Sequence, residues 1–355
     1  MNRRSTRILK AALSAMYYSG ADDLAAPFTR GDGVIFMLHR VTPEPVRPFE
    51  PNRVLKVTPQ FLDDVIHKVV ESGFDVLSID EVPERLASRS GRRPFAVFTL
   101  DDGYRDNLRH ALPVFRRHGA PFTVYVPTDY MDGNGDLWWL MLERVIAGAE
   151  RVSVRMDGCD RHFDTAAISG KEFAYTEIYW WLRSLPEDEA RSVVAGLASA
   201  HGLDGGELCR EMMMNWDEVR TLAADPLVTI GAHTRSHLAL AKLDAAVARE
   251  EMAASVARIE QELGRPCRHF SYPYGCRKSA GTREFEMAHE LGMATAVTTR
   301  KGQVDATHAE RLTGLPRFSL NGDYQDPRFI KVMLSGMPFR LWNVLGRVSG
   351  ANASI

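Results

Sequence analysis

The chain has 355 residues, of which 45% are hydrophobic and 25% are charged, so it has ample apolar material for a large folded core. Lysine and arginine number 44 against 46 aspartates and glutamates, and this balance gives no general electrostatic reason to bind nucleic acid. The four cysteines have no C-x-x-C spacing, which indicates neither a zinc finger nor a disulfide framework and favours a reducing compartment.

The first thirty residues carry a basic segment that could be mistaken for a secretion signal. Its apolar stretch is interrupted by Lys10 and contains two tyrosines, whereas a secretion signal has an unbroken apolar core. We therefore predict an amphipathic helical arm over residues 1–30, able to touch a membrane surface, and a cytoplasmic location rather than export. No run in the sequence reaches the length of a transmembrane helix.

Strand-like and helix-like segments then alternate along the chain. Residues 58–73 are typical of the helices, with Thr58 as the cap, Pro59 in the first turn and an apolar face. Such alternation predicts a parallel sheet wrapped by helices, and the number of strands predicts a complete or distorted (β/α) barrel over residues 31–325. The strand candidates are residues 33–39, 74–78, 95–100, 122–127, 227–232, 268–273 and 294–299.

Two segments depart from this alternation. Residues 131–215 are rich in Trp, Arg, Glu and Ala and predict a mostly helical insertion. Its paired tryptophans could form a platform for sugars, but aromatic pairs at helical spacing more often pack in a core, and we assign them there. These are Trp138, Trp139, Trp180 and Trp181. Residues 326–355 predict a helical tail that packs on the domain or meets a membrane surface.

Polar residues follow several of the predicted strands at the point where each ends. In a barrel of this kind the active site forms at the carboxyl ends of the strands, so these residues are expected to converge. They are His39, Asp101 and Asp102, Thr128 and Asp129, His233, and Tyr274.

Two of these positions indicate metal chemistry. In HTRSH, His233 and His237 stand four apart, so a helical turn would place both imidazoles on one face. Two imidazoles and one carboxylate suit zinc or another divalent transition metal such as cobalt or nickel. In DDG, one aspartate can hold the metal while its neighbour acts as a base. Taken alone, HTRSH would be interpreted as two incidental histidines, and DDG would be interpreted as a turn that caps a helix. The combination of the two motifs favours the metal site.

Three motifs occur in order along the chain: TLDDG (99–103), HTRSH (233–237) and YPYG (272–275). Together they resemble the motifs of the polysaccharide deacetylases of carbohydrate esterase family 4, which include nodulation chitooligosaccharide deacetylases. The resemblance spans about residues 31–320 and implies a distorted (β/α) barrel that removes acetyl groups from N-acetylated sugars with a metal. By matching position, it implies Asp101 as the general base, Asp102, His233 and His237 as the metal ligands, and the backbone around Tyr274 as an oxyanion donor.

Two features depart from the family pattern. The third motif commonly carries an arginine that steadies the base, and here that position is Ser271; our candidate substitute is Arg317 in LPRFSL. The late L-x-H motif that supplies the general acid is also absent. A branch resembling the poly-N-acetylglucosamine deacetylases has a first-strand histidine instead, and MLHRV at residues 37–41 matches it. This likeness implies that His39 is the acid.

The expected function is therefore removal of N-acetyl groups from an oligosaccharide, a polysaccharide or a lipid-linked precursor that contains N-acetylhexosamine. An O-acetyl esterase or another amidase on the same barrel would use the same metal residues, and a narrow pocket would mark an amidase for small substrates. A non-catalytic carbohydrate-binding protein is the alternative of another class, but binding alone needs no base beside a metal ligand.

Overall fold

The computed structural model describes residues 3–88 and 93–348. Its strands are β1 (Gly33–Leu38), β2 (Arg40–Val41), β3 (Lys56–Val57), β4 (Asp75–Val76), β5 (Phe95–Leu100), β6 (Phe122–Val126), β7 (Arg151–Met156), β8 (Cys159–Asp164), β9 (Val228–Ala232), β10 (His269–Ser271), β11 (Thr295–Lys301) and β12 (Leu315–Ser319). The helices are α1 (Arg3–Ser19), α2 (Ala21–Thr29), α3 (Pro59–Glu71), α4 (Val82–Ala87), α5 (Leu112–His118), α6 (Thr128–Met131), α7 (Trp138–Gly148), α8 (Ile168–Ser184), α9 (Glu187–Ala200), α10 (Gly205–Met212), α11 (Trp216–Ala223), α12 (Ala245–Leu263), α13 (Thr282–Glu290), α14 (Pro327–Leu334) and α15 (Met337–Val348).

Seven parallel strands close into a barrel. Their order is β1, β12, β11, β10, β9, β6 and β5, and β5 pairs back with β1, while β4 adds a short pairing at the edge of β5. The distorted (β/α) barrel predicted from the alternation of segments is therefore confirmed. Every residue of β1 and β5 is buried, as expected for strands that have the barrel interior on one face and helices on the other.

The strand register brings the carboxyl ends of the strands to one rim. Leu38 of β1 pairs with Leu100 of β5, so His39 and Asp101 follow at the same level. The amide of Asp101 donates to the carbonyl of Leu38 at 2.9 Å, which fixes the end of β5 against the end of β1. The polar residues that the sequence placed after different strands thus meet through ordinary parallel pairing.

One barrel strand and one hairpin were missed by the sequence interpretation. Strand β12 contains Pro316 and Arg317, and a proline and a charged residue both count against a buried strand. The hairpin β7–β8 lies in the insertion, which is otherwise helical as predicted. Its turn residues Asp157 and Gly158 both have positive φ, so the Asp-Gly signal for a hairpin turn was present in the sequence.

The four tryptophans of the insertion do not share one environment. Trp138 and Trp139 are buried, as predicted for core residues, and Trp181 is half-buried. Trp180, in contrast, is 64% exposed, so the core assignment was wrong at that position. On α8 the apolar face that packs inward is formed by Ala174, Tyr175, Ile178 and Leu182, and Trp180 lies outside it.

The two chain ends pack together beside the barrel. Leu13 of α1 is buried in a cluster with Phe329 and Val332 of α14, and the ring of Phe339 on α15 contacts Phe318 of β12 edge-on. Helices α1 and α2 lie within the segment predicted as an arm, and α14 and α15 lie within the segment predicted as a tail; residues 1–2 and 349–355 of those segments lie outside the described residues. Among the described residues, none of the helices combines the length and apolar character needed to cross a membrane.

Candidate active site

Six of the predicted site residues line one large cavity at the carboxyl-terminal rim of the barrel. They are His39, Asp101, Asp102, His233, His237 and Tyr274. Thr128 and Asp129 do not line it. Their amides donate to the carbonyls of Thr234 and Arg235, so the start of α6 holds the loop that carries the two histidines. The convergence expected from the strand ends therefore holds, with Thr128 and Asp129 in a supporting position.

Asp102, His233 and His237 form a compact cluster of metal-ligating side chains. The Nε2 atoms of His233 and His237 lie 3.4 and 3.3 Å from Oδ1 of Asp102. One ligand atom from each of the three residues lies within 4.8 Å of the others, and all three are buried. Two imidazole nitrogens and one carboxylate oxygen, converging from three directions, are the donor set of an open divalent transition-metal site.

The hydrogen bonds around this cluster leave the converging atoms available. Nδ1 of His233 lies 2.6 Å from the carbonyl of Ser271, which orients the ring and leaves Nε2 to face the cluster. Oδ1 of Asp102 is buried and has no hydrogen-bond partner in the described structure. An orphaned buried carboxylate oxygen is costly, and a cation at this position would satisfy it. The residues therefore fit a divalent metal.

The loop 233–237 is a bend, and the helical turn that would have aligned its histidines is absent. Thr234 and His237 have φ of 62° and 59°, and the amide of His237 donates to Oγ1 of Thr234 at 2.9 Å. The two rings are brought together by this bend, with their centroids 4.9 Å apart. The i, i+4 spacing thus identified two histidines that lie together, but the helical turn expected from that spacing is replaced by a bend.

Two charged residues that the sequence interpretation missed hold this bend. The carboxylate of Glu251, buried on α12, accepts hydrogen bonds from the amide and the hydroxyl of Ser236. Arg191 of α9 donates to the carbonyls of Ser236 and His237. Both lie far from the motif in sequence, and neither stands in a pattern that marks it, so only the tertiary structure reveals them.

Asp101 lines the same cavity as the metal cluster and is bound by Arg317. The guanidinium donates from both terminal nitrogens to the two carboxylate oxygens, at 2.8 and 2.6 Å, which is the bidentate geometry of a strong pair. The same guanidinium donates to Oγ of Ser271 at 3.0 Å. Arg317 thus enters from β12 into the space beside Ser271, the position where the related motif has its arginine.

The electrostatics of the two aspartates keep both ionised. Burial alone would raise the pKa of Asp101, but the Arg317 guanidinium and the His233 ring outweigh it and hold that pKa below its usual value. Burial would likewise raise the pKa of Asp102, and the two imidazoles beside it hold that pKa well below the usual value. Adjacent residues thus present two carboxylates with different partners.

His39 lies at the end of β1 on the cavity wall and is half-buried. Its carbonyl accepts a hydrogen bond from the Asn107 side chain at 2.8 Å, which fixes the backbone at the strand end. The ring is close enough to the two carboxylates to contribute to lowering the pKa of both Asp101 and Asp102. His39 therefore lies near Asp101, the candidate for the general base.

Tyr274 closes the site on the side of the helical insertion. Its hydroxyl accepts a hydrogen bond from the indole of Trp138 at 2.9 Å, and the guanidinium of Arg183 lies 3.6 Å from the centre of its ring. Its own carbonyl accepts from the Thr299 hydroxyl at 2.6 Å. The backbone of Tyr274 is thereby fixed at the rim, next to the ring of His237.

Backbone strain is concentrated at this site. Of the non-glycine residues with positive φ in the described chain, all but Asp157 belong to the three motifs, namely Asp102, Thr234, His237 and Tyr274. Left-handed backbone at such residues costs free energy and persists only where the surroundings impose it. The concentration of strain supports the identification of this cavity as the functional centre.

The cavity is large, with a volume of about 1110 Å³, and has two different walls. On one side lie residues of helix α8, including Tyr175, Tyr179 and Trp180; on the other lie residues of the terminal helices, including Leu9, Leu13 and Phe339. Pockets for single drug-sized ligands span roughly 300–1,000 Å³, so this cavity has room for more than one sugar ring. The narrow pocket expected of an amidase for small substrates is not observed here.

Comparison with known families gives one match. The sequence profile described as polysaccharide deacetylase matches residues 193–296. This range includes the HTRSH and YPYG motifs and does not include the TLDDG motif. A search of curated protein sequences found no match.

Solved structures with the same fold include several deacetylases. The Streptococcus pyogenes deacetylase PplD, in complex with acetate, is 17% identical, with 81% of this chain and 92% of that chain covered and a TM-score of 0.53. IcaB from Ammonifex degensii is 16% identical, with 86% and 97% covered and a TM-score of 0.52. A de-N-acetylase from Aggregatibacter actinomycetemcomitans is 13% identical, with 84% and 99% covered and a TM-score of 0.52. At these identities the likeness shows a shared fold.

Proposed function

We propose that the chain is a member of the polysaccharide deacetylase family, whose profile matches residues 193–296, and that it is a metal-dependent hydrolase that removes N-acetyl groups from saccharides containing N-acetylhexosamine. The observation that carries this proposal is a buried Asp-His-His cluster accompanied by a second carboxylate, that of Asp101, which is bound by Arg317 and is not a member of the cluster. A binding protein would need neither the second carboxylate nor the buried arginine that orients it.

The metal would be held by Asp102, His233 and His237, and zinc, cobalt or nickel suits this donor set. A divalent metal in such a site polarises the acetamide carbonyl and makes a water molecule more acidic. The carbonyl of Ser271 keeps the His233 ring in the required orientation. The chain itself supplies the remaining groups around the scissile amide: a base that takes up a proton, an acid that donates one, and a donor that stabilises negative charge.

Asp101 is proposed as the general base. Its carboxylate is ionised because Arg317 offsets the cost of burial, and it stands next to the metal ligand Asp102 in the chain. The bidentate contact from Arg317 fixes the carboxylate plane, so Asp101 can take a proton from the attacking water without first reorienting. Arg317 is a positioning residue in this account, since it acts through Asp101.

The oxyanion of the tetrahedral intermediate needs a hydrogen-bond donor, and we assign this role to the backbone of Tyr274. Its left-handed conformation and the hydrogen bond from Thr299 to its carbonyl hold the peptide rigidly at the rim. A donor fixed in advance costs no reorganisation when charge develops. In the described structure, the amide of Tyr274 forms no hydrogen bond with another backbone carbonyl.

His39 is proposed as the general acid that protonates the departing amine, and its replacement by alanine tests this role. For chitooligosaccharides we expect His39→Ala to reduce kcat for acetate release by about a hundredfold, because an unprotonated amine is a very poor leaving group. For an aryl acetate, whose phenolate leaves without protonation, we expect little change. Acetate release from both substrates, measured for wild type and variant, gives the comparison.

The matched control is His67→Ala, which removes an exposed histidine of α3 that lies outside the cavity. This variant should leave both rates unchanged. Equal losses on the oligosaccharide and the aryl ester in His39→Ala would contradict the acid role. Binding of chitooligosaccharide by the metal-loaded wild type without acetate release would contradict the proposed reaction itself, and faster release from an O-acetylated sugar would make the protein an esterase.

A further inference from the structure

The cavity extends beyond the proposed active site into a second half that is mainly apolar. Its polar end holds the residues described above, from His39 to Tyr274. The other end is formed by side chains from α1, β12, α14 and α15, which the chain brings together from both termini. They are Leu9, Leu13, Phe318, Leu320, Phe329, Ile330, Met333, Pro338, Phe339 and Trp342.

This apolar half is a built surface of packed side chains. Leu13, Phe329, Ile330 and Phe339 are all buried, so the helices have fixed positions around the space that they line. Toward solvent, Leu9 is 37% and Trp342 is 46% exposed, so the cavity is open between the two terminal helices. An apolar channel that runs from solvent to a polar centre is a site for an extended hydrocarbon chain.

One cation, Lys301, lies on the cavity wall beside Trp342. Lys301 ends β11, next to the strand that carries Phe318, and its ammonium lies 4.8 Å from the centre of the Trp342 ring. Lys301 and Arg53 are the lysine and arginine side chains that line the cavity in the described structure. Arg53 is paired with Asp323 at 3.3 Å, whereas the Lys301 ammonium contacts the face of the Trp342 ring and forms no ion pair within 4.0 Å among the described residues. Lys301 is thus available to an anionic group of a ligand.

We propose that the substrate is an amphiphile, an N-acetylated sugar joined through a phosphate to a long hydrocarbon chain. The sugar lies at the Asp101 end, the phosphate lies at Lys301 beside Trp342, and the hydrocarbon chain fills the apolar half along α1 and α14. This inference rests on the proposed deacetylation and names the class of substrate for it. The polar, cationic and apolar surfaces of one cavity match the three parts of such a molecule.

The lining of the cavity favours this ligand over two alternatives, a long glycan and a flat membrane surface. A long glycan would need hydrogen-bonding groups along its whole path, whereas the residues of α1, α14 and α15 that line the cavity all have apolar side chains. A flat membrane surface would meet the outer faces of the terminal helices, where Leu24 and Phe28 of α2 are 78% and 84% exposed; neither lines the cavity. The buried lining therefore favours a single chain inside the protein.

The test compares kcat/KM for acetate release from N-acetylglucosaminyl phosphate esterified with farnesol and with methanol, below the concentration at which the farnesyl ester forms micelles. Wild type should prefer the farnesyl ester by about tenfold or more, because burial of the chain adds binding free energy. Trp342→Ala should remove most of that preference. Lys301→Gln should weaken turnover of both phosphate-linked substrates and leave a phosphate-free methyl glycoside unchanged.

The matched control is Leu24→Ala, which removes an exposed apolar side chain outside the cavity and should keep the full preference. Equal kcat/KM for the two esters in wild type would overturn the proposal. A loss of preference in Leu24→Ala as large as that in Trp342→Ala would also overturn it, because the contact would then be made by an outer surface.

A binding measurement separates failure of this inference from failure of the proposed reaction. Equilibrium dialysis of the farnesyl and methyl esters against metal-loaded wild type and Trp342→Ala needs no turnover. Tighter binding of the farnesyl ester, weakened in Trp342→Ala, would support the amphiphile even if no acetate were released. Equal binding of both esters would overturn the amphiphile whatever the rate of deacetylation.

Discussion

Replacement of Asp101 by asparagine is expected to reduce acetate release from N-acetylated oligosaccharide by about a thousandfold while leaving metal content unchanged. An amide cannot take the proton from the attacking water, and base catalysis contributes about 10²–10⁴ to such rates. Metal binding should persist because the side chain of Asp101 is bonded to Arg317 and lies outside the Asp102 cluster. Rates and metal stoichiometry are measured on the same preparations.

Asp160→Asn is the control, since Asp160 is exposed on β8 and does not line the cavity. Its rate should stay close to that of wild type. If Asp101→Asn kept most of the activity, the base would have to be sought elsewhere. If it lost the metal, Asp101 would be a ligand and the assignment of the two aspartates would be wrong.

The second large effect is expected at Arg317, because this guanidinium is fully buried against Asp101. Arg317→Ser should reduce kcat strongly and lower the free energy of unfolding by about 3–5 kcal/mol, since it leaves a buried carboxylate without its partner. A stability loss alone would not identify a role in catalysis. The informative variant is the double substitution Ser271→Arg with Arg317→Ser.

The double variant moves the arginine from β12 to position 271 of β10, where the Ser271 hydroxyl already accepts a hydrogen bond from the guanidinium at 3.0 Å. It should recover a substantial part of kcat relative to Arg317→Ser, with KM little changed throughout, because the arginine acts by orienting Asp101. Denaturant unfolding and steady-state kinetics check the two effects separately. Recovery of stability without recovery of kcat would contradict the positioning role.

The barrel could be predicted from the sequence because buried parallel strands leave a strong pattern of apolar runs separated by helices. The exception is β12, where Pro316 and Arg317 obscured the strand. Arg317 binds Asp101, so the site explains why this strand contains a buried charged residue. Arg317 was a candidate substitute for the arginine missing at Ser271, but its bidentate contact with Asp101 is visible only in the closed barrel.

The three candidate metal ligands could be nominated from their motifs, whereas the geometry that brings them together could not be predicted. The histidines of HTRSH converge through a bend with two left-handed residues, and Glu251 and Arg191 hold that bend from distant helices. Long-range hydrogen bonds of this kind leave no local pattern. The same limit applies to the cavity, whose apolar half exists only because α1 and α14 meet from opposite ends of the chain.

The most direct test of the central claim is a metal titration of the stripped protein, with bound metal and acetate release measured in the same samples. We expect activity to return in proportion to metal bound and to level off at one equivalent, with zinc, cobalt or nickel. His237→Ala, which removes one of the three ligands, should bind metal weakly and stay inactive. Full activity of the stripped protein, or one tightly bound metal without acetate release from any N-acetylated saccharide, would contradict the account.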